Sequence, residues 1–472
     1  MGVEEIFSNN NVSKPPEMIQ VRYRDLMNGT SETGHIKEII KIISALFSIL
    51  ICAAIPGALP IIWGLACVYA LVGPKQALQS LTVSWFLNFL NPGIAPITES
   101  SPFWRWMVLL SAFICVVITV LVRKTALSKA AKMLLLFSGS TMIASALVSY
   151  HFSVSFLKIT QFTIGVLTIL LGYQVTSHLR DYWKLWFMTV LGFIVFLSIP
   201  LFFNDIGYLR NGRSFQGLLN HPQSFGTFLS PFAVWLTGTL LINKNRSKWL
   251  ILFSFLVWLE LIASQSRTAF LSAVLGIFLA LTFSLSARKE LKARLKSIFR
   301  NYLVVSLFCF ALVLLVLNIS SLESRFFNFI TKERDVENIR QGFLITREHL
   351  VARSLNNFLD SPLLGMGFGL ASDQQRFAIE STNTHHLPLS APTEKGFLPS
   401  ALLEETGLLG GMLFIMFLIT MARPLVKTAG LPLCWAFFTC IIINLGELNI
   451  FSFGGMGLYL WLVIGLSTID NN

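Results

Sequence analysis

The chain has 472 residues, of which 54% are hydrophobic and 13% charged. That balance excludes a soluble globular domain, because apolar runs near the ~20 residues needed to cross a bilayer recur along the sequence. The net charge of +12 does not point to nucleic acid, since the Lys and Arg residues sit in short loops between apolar runs and not on one polar face.

Residues 1–36 are polar, carry no apolar signal core and are expected to form a cytoplasmic tail. Apolar runs follow at about 38–55 and 58–73, separated by Pro56-Gly57 and Pro60, with a weaker one near 79–90. Clear spans are predicted at about 105–122, 132–150, 153–173, 184–203, 222–242, 248–264, 267–286, 300–318, 398–420, 429–446 and 451–467. The predicted architecture is therefore an all-α polytopic membrane protein of about 12 or 14 transmembrane helices. Its membrane parts are 37–318 and 398–472, and one long outer loop, 319–397, lies between them. Cys52, Cys67, Cys115, Cys309, Cys434 and Cys440 all fall within apolar stretches and read as small buried hydrophobes, without metal-ligand spacing.

Alternating the eleven clear spans assigns every short loop to one of two sides, which the positive-inside rule can orient. One side holds Arg123, Lys124, Lys129, Lys132, Arg180, Lys184, Lys244, Arg246, Lys248, the six basic residues between Arg288 and Arg300, Arg423 and Lys427, 17 in all. The short loops of the other side hold three: Arg210, Arg213 and Arg267. The first side is predicted to be cytoplasmic, with both termini, which requires an odd number of crossings before residue 105.

The outer arginines then become informative. Arg213 opens "RSFQGLLNHPQSF", which gathers Gln216, Asn220, His221 and Gln223 just before an apolar run, and Arg267 follows Ser264-Gln265-Ser266. One such arginine is explained by snorkelling into the headgroup layer. Two, each with polar neighbours, point to something that holds them there.

The long segment 319–397 is soluble in composition, with eight Lys and Arg against nine Asp and Glu. Apolar residues at helical spacing predict a helix within 336–359, ended by "DSPLLGMGFG", a tight glycine-rich turn where backbone could approach a ligand closely. No strand precedes that turn and no Lys-Ser or Lys-Thr follows, so it is not a nucleotide loop. Pro399 suits the first turn of the span at 398, and Glu404 and Glu405 lie within its first two turns, where the helix dipole tolerates acids as solvated caps. Glu394 and Lys395 stand just outside it, on the same leaflet as the two arginines.

At these residues the sequence resembles the O-antigen ligase and polymerase superfamily. The resemblance is carried in order by Arg213 with "NHPQSFGTF", "SQSRTAFL" at 264–271, Arg347 leading to "SPLLGMGFG", and "LLEETGLLGG" at 402–411. It implies a GT-C-like, metal-independent glycosyltransferase of the bacterial inner membrane, without cofactor. Such an enzyme moves a glycan from an undecaprenyl-pyrophosphate carrier to a glycan or lipid acceptor in the periplasm, among membrane lipids and with no nucleic acid partner. Arg213 and Arg267 would hold the pyrophosphate, for which guanidinium is the best-shaped cation. Members commonly carry a His-Asn shortly before the Glu-x-Gly element. This chain has Glu394-Lys395-Gly396 in about that place, with His385 and His386 some ten residues earlier. Either Glu394 or one of these histidines is then the general base, with Glu394 preferred. Arg347, Lys395, Asn220, His221, His385, His386 and Glu405 are the substrate-binding candidates. Polymerase and ligase fit equally well. The alternatives of another class are a transporter of a small anion such as bicarbonate, which predicts ionisable residues in mid-span, and a noncatalytic assembly partner.

Overall fold

The computed structural model describes residues 17–95, 101–242, 247–287, 349–373, 395–427 and 431–469. Among them are fourteen α-helices and no strand; a lone bridge pairs Leu90 with Leu219. In chain order the helices are α1 (Glu17–Ala54), α2 (Leu59–Val72), α3 (Pro74–Phe89), α4 (Ser101–Val122), α5 (Lys129–Val148), α6 (Phe152–Val175) and α7 (Arg180–Ser198). They continue with α8 (Pro222–Ile242), α9 (Lys248–Ala263), α10 (Arg267–Ala287), α11 (His349–Asp360), α12 (Leu398–Lys427), α13 (Leu431–Ile442) and α14 (Met456–Thr468).

Six helical segments among the described residues are long and apolar enough to cross a membrane: Pro102–Val122, Lys129–Val148, Phe152–Val175, Ser177–Phe203, Pro222–Leu241 and Leu398–Leu425. Shorter apolar helices pack between them, and the chain is a polytopic helical membrane protein. The predicted weak run at 79–90 is the helix α3, joined to α2 at Gly73-Pro74. The predicted span at 300–318 lies outside the described residues, as does the first half of the predicted helix in 336–359.

The core sits around α14 and α6. Helix α14 is apolar all round and buried from Met456 to Ser467, as a helix enclosed by others must be. It packs against α3, α6, α8 and α13. Where α13 crosses α10, a Cβ on Gly276 would fall 2.1 Å from Thr439 Oγ1, so only glycine permits that approach. Large apolar side chains such as Ile61, Leu121, Leu147, Phe255 and Ile415 cover the outside.

The loops gather at two ends. At one, Arg123 Nη1 donates to the Val175 carbonyl (3.2 Å), Gln174 Nε2 donates to Ala126 O (2.7 Å), and the Lys75 ammonium stands 3.7 Å from the Tyr182 ring centre. These contacts join loops whose basic residues the charge bias assigns to the cytoplasm. The opposite end collects 90–95, 199–221, 264–266, 361–373, 395–397 and 443–455.

Candidate active site

Asn91 secures the loop that bears Arg213. Fully buried beyond the end of α3, its Nδ2 donates to the carbonyls of Ile206 and Gly217 (both 2.8 Å), and its N–H donates to Leu218 O (2.9 Å). Gly217 adopts φ +53°, and a Cβ there would lie 2.5 Å from Ser198 Oγ. Asn211 Oδ1 accepts from the N–H groups of Arg213 (3.2 Å) and Ser214 (2.9 Å), and Gly212 takes φ +69°. This Asx turn sets Arg213 on the exposed rim.

The same loop touches the turn that precedes Arg267. Ser214 Oγ donates to Gln265 Oε1 (3.0 Å), and the Phe215 N–H donates to Ala263 O (3.1 Å). Helix α9 ends when the Ser264 N–H donates to Glu260 O, and Gln265 then takes the left-handed conformation at φ +52°. Two residues later Arg267 opens α10. Arginines 54 positions apart in sequence are thus carried on two directly bonded loops at one end of the bundle.

The loops and helix ends that carry them include polar atoms with no hydrogen-bond partner among the described residues: Gln216 Nε2, Asn220 Oδ1, Ser266 Oγ and both carboxylate oxygens of Glu260. Buried polar groups are normally paired, so each of these atoms is open to water or a polar ligand. His221 caps α8, its Nδ1 accepting from the Gln223 N–H (3.1 Å). Gln223 Nε2 donates to Glu447 Oε1, which links α8 to the loop before α14. Beside it, Gly446 lies against Thr268, and the Leu448 N–H donates to Lys395 O (3.3 Å).

Lys395, Glu404 and Glu405 form a buried ion cluster. The Lys395 ammonium, on a side chain 2% exposed, lies 2.9 Å from Glu404 Oε2 and 3.0 Å from Glu405 Oε1. Burial opposes the charged ammonium, yet Glu405 and Glu404 outweigh it and hold the Lys395 pKa above the ordinary lysine value. Glu404 also accepts from Ser354 Oγ (2.8 Å) and Asn357 Nδ2 (2.6 Å) of α11, and Glu405 Oε2 accepts from the Gly369 N–H (2.7 Å). Lys158 Nζ, from α6, donates to Gly369 O (2.5 Å). The two glutamates are therefore not solvated caps; both are essentially inaccessible to solvent.

The glycine-rich turn closes on the protein's own backbone. Gly407 breaks α12 with φ +62° and ψ −168°, and residues 362–367 fill the gap. The Leu408 and Leu409 N–H groups donate to Pro362 O (2.9 Å) and Leu363 O (3.3 Å), while those of Met366 and Gly367 donate to Glu404 O (2.8 Å) and Glu405 O (3.3 Å). Every partner needs the other, since a break in a membrane helix frees polar groups that lipid does not satisfy. Phe368 is then driven, fully buried, among Phe162, Phe451 and the rest of the aromatic core.

Of the sequence candidates, Arg213, Arg267, Asn220 and His221 share this end with Lys395 and Glu405. Glu394, Arg347, His385 and His386 lie outside the described residues. Lys158 was not among the candidates, although a lone lysine within the apolar run "VSFLKITQF" was a signal for it. Nor was Arg105, near the start of α4. With Asn88 it donates to Gly454 O, beside Gln161, in a crevice of about 10 Å³, room for about one water. Among the described residues no three His, Cys, Asp or Glu side chains gather as a metal would require.

No curated protein matches the chain. Residues 252–415, from the start of α9 to the middle of α12, match the family model described as O-antigen ligase. That stretch, about a third of the chain, takes in the Arg267 turn, the glycine-rich turn and the ion cluster, and it supports the resemblance to the O-antigen ligase superfamily of membrane glycan ligases and polymerases.

Proposed function

We propose that the protein is a membrane glycosyltransferase that moves a glycan from an undecaprenyl-pyrophosphate carrier onto a glycan or lipid acceptor. The reaction is placed at the periplasmic face of the bacterial inner membrane, on a GT-C-like arrangement of about 12 or 14 spans with both termini cytoplasmic. The observation that carries this reading is the bonding of the Arg213 loop to the Arg267 turn, Ser214 to Gln265 and Phe215 to Ala263. Two guanidinium groups at one membrane edge suit a diphosphate at headgroup level, which each can pair bidentately.

In this mechanism the acceptor hydroxyl oxygen attacks the anomeric carbon of the carrier-linked sugar. The bond from that carbon to the phosphate oxygen breaks, and its electrons pass to the departing pyrophosphate. Arg213 and Arg267 stabilise the added negative charge, an electrostatic role that requires no metal. Glu394, or His385 or His386, takes the hydroxyl proton. Asn220, whose Oδ1 has no partner among the described residues, is placed to accept from a sugar hydroxyl. Arg347 and His221 complete the proposed binding side, and Lys395 and Glu405 support it through their buried ion pair. The family match gives no support to anion transport.

The test is the size and carrier attachment of surface glycan in a strain lacking the protein, complemented with wild type, Arg213→Ala or Arg267→Ala. Glycan should stall on the lipid carrier, be released by wild type, and remain stalled in both variants at normal membrane levels. Each variant should lose about 100-fold or more in transfer, as removal of one oxyanion-stabilising donor does elsewhere. Single repeats left on the carrier would mark a polymerase and full-length chains a ligase. Full activity in both variants would sink the arginine assignment.

A further inference from the structure

The ion cluster uses four charged side chains from three separated parts of the sequence, and none stands on the exposed rim with Arg213. Lys158 comes from α6, Lys395 from the entry to α12, and Glu404 and Glu405 from the turn before its break. Their formal charges sum to zero. The cluster's remaining partners, Ser354, Asn357 and Gly369, all belong to the outer segment. Every charged atom that meets the outer segment here is thus rooted in, or at the entry of, a membrane helix.

From this placement we infer that Lys395 and Glu405 are positioning residues: their buried ion pair latches the outer segment 354–371, with α11 and the glycine-rich turn, onto α6 and α12. Lys395 grips Glu404 and Glu405 together, Glu404 grips α11, Glu405 accepts from the Gly369 N–H, and Lys158 donates to the Gly369 carbonyl. Phe368 and Leu370, fully buried on either side of Gly369, mark the depth to which the segment is held. A buried charge that loses one partner is strongly destabilising, whereas removal of both partners of a pair is tolerated far better. The latch therefore depends on neutrality, and the segment lifts when neutrality is broken. Only its consequence for catalysis rests on the glycan-transfer reading.

The experiment uses the full-length protein in membranes with Leu370→Cys as a reporter, reacted with a maleimide that does not cross the bilayer. The same protein without the reporter measures the background from the native cysteines. Labelling of the reporter should be slow in the parent and rise at least about tenfold in Lys395→Met and in Glu405→Gln, each of which leaves an unbalanced buried charge. The neutral double variant, Lys395→Met with Glu405→Gln, should return to near the parent rate and recover glycan transfer relative to either single variant. Unchanged labelling in the single variants would overturn the latch, as would a double variant as reactive as the singles. Labelling that follows the latch while no variant alters transfer would refute the functional reading and leave the latch standing.

Discussion

Gly407→Ala tests how the site is built, at the point where α12 is broken. The residue sits at φ +62°, ψ −168°, a conformation essentially reserved for glycine. A Cβ there would lie 2.3 Å from Leu363 O, 2.4 Å from Leu363 C and 2.6 Å from Leu364 N. All three are backbone atoms, so no side-chain rotation relieves the overlap. The conformational strain alone costs about 1–3 kcal/mol. Moving residues 362–364 away also endangers the four hydrogen bonds that join the turn to Leu408, Leu409, Glu404 and Glu405, each worth about 1 kcal/mol net. The total, about 5–7 kcal/mol if all four are lost, is comparable to the stability of a whole small domain. We expect the turn to undock while the helices persist: amide hydrogen exchange over 363–371 should rise sharply, with helical circular dichroism unchanged and glycan transfer abolished. Gly139→Ala, on α5 where a Cβ meets nothing within 4 Å, is the control and should alter none of these. Wild-type exchange protection in Gly407→Ala would refute the reasoning, because the steric conflict is then relieved in a way the backbone geometry does not allow.

Two further outcomes follow from the same region. Phe368→Ala, which empties a fully buried site beside Phe162 and Phe451, should weaken docking of the turn by about 3–5 kcal/mol and lower the thermal midpoint of the purified protein. Phe368→Leu should restore most of the loss, and equal midpoints for wild type and Phe368→Ala would contradict the core role. For pH, the Lys395 pKa is raised above its unfolded value, so its contribution is complete below the unfolded value of about 10.4 and is lost only as pH climbs through the higher folded one. Hydrogen-exchange protection of 363–371, corrected for the intrinsic rate, should be flat from about pH 6 to 7; a fall within that window would show that Lys395 does not hold its charge there.

Much of the architecture was legible because lipid imposes simple demands on sequence. Apolar runs long enough to cross announce the helices, and the uneven distribution of Lys and Arg sorts the loops into two expected sets. Arg213 and Arg267 stood out for the same reason: a cation outside the basic loops is conspicuous against such a background. Glu404 and Glu405 were visible as residues but not as a cluster. Their partners lie 9 or 10 residues before them at Lys395, about 50 before at Ser354 and Asn357, and some 250 before at Lys158, and no local pattern encodes that convergence.

The glycine-rich turn marks the boundary most clearly. Its composition alone determined that backbone there approaches something closely, because glycine at positive φ removes the Cβ that would keep a neighbour away. What it approaches was decided by tertiary structure: a second glycine, Gly407, opens α12 and offers the unpaired N–H and C=O groups that the turn satisfies. Composition and periodicity act within a few residues and suffice to say which segments enter the membrane. Pairing of buried charge and of freed backbone groups acts through space, so the site's inner framework exists only once the helices are packed.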